Sequence, residues 1–131
     1  MRTSLSVCFA LLLAACAGIT TIPYTPQPQR IDNPRETIVK LILANTVDGC
    51  VSEPKVDETL LVVKFVCTGN GRGVGNMVAR LDQIDQVSVQ QSGDWYRVHV
   101  HHKNGAADFD WSSKNLDDVQ HLADAFTAIK K

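Results

Sequence analysis

The chain has 131 residues, with 13 basic and 14 acidic side chains and a formal charge of −1. That balance excludes the clustered basic face that nucleic acid requires, and it gives no general attraction to anionic lipid. A 44% hydrophobic share with 6% aromatic residues supports one modest core and one domain.

The chain opens with Arg2 and an apolar stretch from Leu5 to Ala15. A short basic start, an apolar centre and small residues at its end describe a secretory signal, too short to span a bilayer. The run Leu13-Ala14-Ala15-Cys16 resembles the lipobox of bacterial lipoproteins. The resemblance implies that residues 1–15 are removed. Cys16 then becomes the mature N-terminus, carrying a diacylglyceryl thioether and an acylated amine of the palmitate type. Several chains on one residue anchor stably, each buried methylene contributing about 0.8 kcal/mol. Ala17 stands where lipoprotein sorting reads Asp as an inner-membrane retention mark. In a Gram-negative source this implies an outer-membrane anchor facing the periplasm. Processing removes Arg2 alone among charged residues, leaving 12 basic against 14 acidic side chains and a charge of −2.

Residues 16–33 read as a tether, because Pro23, Pro26 and Pro28 favour extended backbone. The domain is expected over 34–131. Its first helix has Asn33 as cap, Pro34 at the first helical position and Glu36 three residues past the cap. Ile38, Leu41 and Ile42 recur at helical spacing, and the helix is expected to end near Asp48-Gly49. Cys50 to Asp57, with Pro54 inside, reads as a loop. Thr59 to Cys67 is apolar on both parities, which predicts a strand covered on both faces. Cys8 leaves with the signal and Cys16 is taken by lipid. Cys50 and Cys67 remain, and in an oxidising compartment they pair. The closed loop of about 17 residues contributes roughly 3 kcal/mol in the chain-entropy view. A redox or metal pair is the competing reading, against which the wide spacing speaks.

Gly69-Asn70-Gly71-Arg72-Gly73-Val74-Gly75 invites a phosphate-cradle reading. It lacks the Lys-Ser/Thr ending of a P-loop and the spacing of a dinucleotide fingerprint, so it reads as a hairpin loop. Met77 to Leu81 reads as a short strand. Val87 and Val89, then Tyr96, Val98 and Val100, then Ala107, Phe109 and Trp111, alternate with polar residues. Turns at Ser92-Gly93 and Asn104-Gly105 link them. The register then sets Val89 opposite Tyr96, Val87 opposite Val98, Val98 opposite Trp111 and Val100 opposite Phe109. All fall on one face, as a half-buried meander requires. Asn115 caps a last helix whose stripe is Leu116, Val119, Leu122, Ala123, Phe126 and Ile129. That helix must pack on the one-faced sheet. The fold class is α+β: a curved antiparallel meander packed by a C-terminal helix, with an additional N-terminal helix.

The runs Leu81–Val89, Trp95–Val98, Phe109–Trp111 and Ala123–Phe126 resemble the later half of bacterial pleckstrin-homology-like domains. There a curved sheet is closed by a C-terminal helix. The N-terminal helix departs from that pattern, and no basic cluster carries over a phosphoinositide ligand. A plain sandwich of a four- or five-stranded sheet with two helices is the alternative.

On the opposite face, the register sets His99 across from Asp110 and His101 across from Asp108, with Gln86 nearby. Cross-strand Cβ atoms lie about 4.5–5.5 Å apart. The four side chains can be charge pairs that hold register, ligands for Zn²⁺ or another divalent ion, or a pH-responsive surface. Trp95, Arg97 and Arg72 are candidates for a partner surface. His102, beside the turn, is expected to be exposed at its tip, and His121 solvated on the last helix. No nucleophile elbow, HExxH motif or paired-carboxylate cleft is legible, so no catalytic residue is assigned. The expected function is a non-enzymatic, membrane-anchored envelope module that binds or scaffolds an envelope protein. The alternatives are a periplasmic metal-binding lipoprotein and an accessory subunit of an envelope enzyme.

Overall fold

The computed structural model describes residues 18–68 and 73–130 and forms seven strands and two α-helices from them. In chain order these are β1 (Thr20–Ile22), α1 (Pro34–Ala44), β2 (Cys50–Val56), β3 (Leu60–Cys67) and β4 (Gly73–Arg80). Then come β5 (Ile84–Ser92), β6 (Trp95–His102), β7 (Phe109–Ser113) and α2 (Leu116–Ile129). All strand pairs are antiparallel, in a four-stranded sheet ordered β1-β5-β6-β7 and a three-stranded sheet ordered β2-β3-β4. The class is α+β as expected, but the strands divide between two sheets. Residues 1–17, with the expected signal and Cys16, residues 69–72 with Arg72, and Lys131 lie outside the described residues.

The alternation between β5 and β7 decides where the core sits. Val89, Val98, Val100 and Phe109 are buried beneath α2, whose Val119, Leu122, Ala123 and Phe126 face them. The Phe109 and Phe126 ring centroids are 5.5 Å apart. Burying side chains of this size contributes about 1.5–3 kcal/mol each. Asn115 caps α2 as expected, its Oδ1 accepting from the Asp118 N–H at 3.1 Å. α1 packs on α2 and β2, and its Ile38 and Ile42 enter the same core. At its other end Asn33 does not cap the backbone, because its Nδ2 donates to Glu36 at 3.0 Å instead. α1 stops at Ala44, earlier than Asp48. There Asn45 donates from Nδ2 to the Leu41 carbonyl at 2.8 Å and to Asp118 at 3.0 Å, and accepts from Ser113. One amide thus joins the end of α1, the end of β7 and the start of α2.

The first meander turn lies one residue later than expected. Gly93, at φ 57°, and Asp94 form its centre, and Ser92 pairs with Trp95. Positive φ at Gly93 but not at Asp94 marks a type II′ turn, whose first position glycine fits without strain. Val89 therefore faces Val98 and Val87 faces Val100, in place of Tyr96 and Val98. The partner shifts by two positions, so parity and the buried face are unchanged. The second turn is as expected: Asn104 and Gly105 both have positive φ, and Val98 faces Trp111 while Val100 faces Phe109.

Several other expectations are corrected. Cys50–Val56 is a strand, and Pro54 is tolerated because β2 is a sheet edge that can spare an N–H. β3 is covered on one face only. Leu61 and Val63 are buried, while Lys64 and Val66 on the other parity are exposed. The glycine run is partly strand: β4 begins at Gly73. Gly75 faces Phe65, and a Cβ there would lie 2.6 Å from the Phe65 Cζ, so the glycine leaves room for the ring. Cys50 and Cys67 are register partners with Cα atoms 4.0 Å apart, joined by the expected disulfide.

The stretch expected as a tether instead contributes to the domain. β1 pairs with β5 as Thr20 with Gln91 and Ile22 with Val89, and Ile22, Tyr24 and Ile31 pack on the core. A buried carboxylate holds it down. Asp124 on α2 is 1% exposed, and its Oδ1 accepts from the Tyr24 hydroxyl at 2.7 Å and from the Gln27 N–H at 2.7 Å. Burial first, then the Asp124 hydrogen bond and charge, push the Tyr24 phenol up to about 12.

Candidate functional site

The outward face of β6 carries Trp95, Arg97, His99 and His101, because strand side chains alternate. β7 supplies Asp110, and Asp108 lies just before it. The Asn104-Gly105 turn brings these two edges together, and the expected pairs form. His99 Nδ1 is 2.6 Å from Asp110 Oδ1, and His101 Nδ1 is 2.9 Å from Asp108 Oδ1. A diagonal contact, His99 Nε2 to Asp108 Oδ2 at 3.1 Å, links the two rungs.

The array extends past the four residues read from the sequence. Arg97 Nε lies 3.7 Å from Asp110 Oδ1 and donates to Gln90 Oε1 at 2.6 Å. At the other end Asp85 Oδ2 lies 3.9 Å from His101 Nε2. Asp85 enters through a bulge, since Ile84 pairs with His102 while Gln86 pairs with His101. The extra residue lets Ile84 and Val89, on opposite parities, both be buried. The result is a ladder in the order Arg97, Asp110, His99, Asp108, His101, Asp85, alternating cationic or imidazole groups with carboxylates.

Its chemistry follows from the donor inventory. Both ring nitrogens of His99 face carboxylate oxygens, and the ring donates to both only as imidazolium. With neutral imidazoles, one guanidinium against three carboxylates leaves a local charge of −2, and two imidazoliums bring it to zero. Burial raises the Asp108 carboxyl, but the His101 hydrogen bond and the charges of His99 and His101 outweigh it and hold it below 3.8. A metal ion would have to displace these contacts from His99. Among the described residues, no group of three or more His, Cys, Asp or Glu side chains is arranged to hold one.

Trp95 continues the face but leaves the ladder. It lies at the far end of β6, where the Lys114 ammonium sits 5.3 Å from its ring centroid, and both line a hollow with Val47 and Asp48. His102 is buried, with 1% exposure, contrary to the expected turn-tip position. Its parity is that of Val98 and Val100. It accepts the Arg80 N–H at Nε2, 3.0 Å away, and donates from Nδ1 to the Ala107 carbonyl at 2.8 Å. The ring thereby ties the end of β4 to the segment before β7. His121 is half-buried, its Nδ1 donating to the Asp117 carbonyl at 2.9 Å.

Sequence reasoning assigns no contact to Asp85, Gln90 or Asp124, and it places His102 at a turn tip rather than in the interior. Asp124 had one signal, an acidic residue between two alanines that adjoin the apolar stripe. Asp85 had none, because a bulge has no signature in the alternation it interrupts.

No protein-family model, no curated protein and no solved structure matches the chain.

Proposed function

We propose that the chain is a bacterial envelope lipoprotein, anchored through Cys16, whose domain is a non-enzymatic binding or scaffolding module. Its Arg97-to-Asp85 ladder meets another envelope protein. The observation that supports this reading is the ladder itself: alternating charges held by mutual contacts on the open face of a sheet. Such a face offers a partner a preset pattern at strand spacing and loses little side-chain entropy on docking. The Cys50–Cys67 disulfide agrees with an oxidising compartment. Ala17 favours the outer membrane, facing the periplasm, in a Gram-negative source. The pleckstrin-homology-like likeness is carried by β5–β7 and α2, with α1 outside it. Among the described residues no helix is long and apolar enough to cross a membrane, so anchoring falls to the lipid in this reading.

The test places a photoreactive residue at Ser88, the strand partner of His99. Irradiation of intact cells yields an adduct with an envelope protein, and Asp108→Lys in the same chain abolishes it. An absent adduct, together with unchanged envelope integrity on deletion, rejects the module.

A further inference from the structure

The N-terminal arm has a geometric consequence for the membrane. A tether from Cys16 to Asn33 would let the domain stand up to about 60 Å from its anchor at 3.3–3.6 Å per residue. The arm is instead paired to β5 from Thr20 onward. Only Ala17, Gly18 and Ile19 separate Cys16 from that strand, so the anchor lies at most about 14 Å from Thr20.

The end of the domain where β1 begins is identifiable. Thr20 faces Gln91, and the next pair along β5 and β6 is Ser92 with Trp95. Trp95 shares its hollow with Val47 and Lys114. The Cys50 N–H donates to the Val47 carbonyl at 3.0 Å, which places the start of β2 there too. One residue on, Val51 faces Val66, which faces Val74. These side chains are unusually exposed for their type: Val74 73%, Val51 63%, Val47 48%, Ile19 47% and Trp95 38%. Among the described residues, most of the large exposed hydrophobic side chains thus collect at the end from which the anchor leaves.

The geometry points to a bilayer-facing end: Ile19, Trp95, Lys114, Val47, Val51 and Val74 lie against the lipid surface that holds Cys16. The inference rests on the lipid anchor proposed above. Tryptophan and lysine suit this position, since an indole sits at headgroup level and an ammonium reaches to water while its stem lies on apolar surface. A short link makes the contact intramolecular, so a patch too weak to bind lipid alone is engaged once anchored. Asp48 lines the same hollow as Lys114 and offsets its charge, so no anionic headgroup is needed. Exposed valines left in water would otherwise favour association.

Tryptophan fluorescence tests this with the full-length lipidated protein, its Cys16 modification verified by mass. The protein is placed in phosphatidylethanolamine–phosphatidylglycerol vesicles with or without brominated acyl chains, which quench tryptophan at short range. Trp95 lies at this end and Trp111 in the core. Brominated vesicles remove part of the emission, and Trp95→Phe removes that quenched part while circular dichroism is unchanged. Equal emission on both vesicles with the lipid present by mass overturns the contact and leaves the anchor standing. A mass without lipid overturns both.

Discussion

Tyr24→Phe tests whether one buried carboxylate fixes the N-terminal arm. The substitution keeps the ring against the core and removes one of the two donors on Asp124 Oδ1, leaving the Gln27 N–H in place. A hydrogen bond to an ionised acceptor contributes about 1.5–3 kcal/mol, and a half-buried phenol belongs at the low end, about 1.5 kcal/mol. For a domain of this size that lowers Tm by about 6 °C. The wild-type profile carries a second signature. The phenol is raised from 10.0 to about 12 in the fold, so the neutral form is favoured there. Its contribution is fully present below pH 10 and is lost as pH rises through about 12. The gross difference is on the order of 3 kcal/mol, which solvent screening of a half-buried ring reduces to about 1 kcal/mol. Tyr24→Phe lacks that alkaline loss. The assay is thermal unfolding at neutral and alkaline pH, with amide exchange read at Gln27. A Tm change below about 1 °C and unaltered Gln27 exchange would refute the clamp, because the arm would then be held without the hydroxyl.

Other substitutions probe other contacts. His102→Leu leaves the Arg80 N–H and the Ala107 carbonyl without a partner, and the urea midpoint falls by the equivalent of about 2 kcal/mol. Gly75→Val drives a Cβ into the Phe65 ring and costs about 1–3 kcal/mol; adding Phe65→Leu recovers part of it, seen as a nonzero coupling in a double-mutant cycle. Asp108 ionises below 3.8, so its contribution is present above that pH and is lost as pH falls through the lowered folded value. Carboxyl resonances report the titration, and His101→Gln moves it upward. Replacing Cys50 and Cys67 together by Ser costs about 3 kcal/mol in chemical denaturation under oxidising conditions.

Period-two and helical patterns were legible where one face is core and the other is water. Val98, Val100, Phe109 and Trp111 had to share a face, and that parity also put His99 with Asp110 and His101 with Asp108. The first turn lies one residue later than the pattern predicts, which moves the β5–β6 partners by two positions but keeps the buried face, because a two-position shift preserves alternation. The His–Asp pairs depend on the second turn, which the pattern places correctly. Where neither face dominates, the pattern says less. β2 offers no alternating apolar set and contains Pro54, so an edge strand reads as a loop. β3 is apolar on both parities, and among the described residues no element covers its outer face, which is open for that reason and not for lack of hydrophobicity.

The amino-acid sequence by itself determined the periodic elements, the disulfide partners and the facing of the meander, because local geometry and hydrophobic alternation act over a few residues. Only the tertiary structure decided that the arm after Ile19 belongs to the domain and that His102 and Asp124 are interior. Their partners, Arg80 and Ala107 in one case and Tyr24 and Gln27 in the other, become neighbours only when the chain closes on itself. A polar group's burial depends on those distant donors and acceptors, and no pattern within its own segment encodes them.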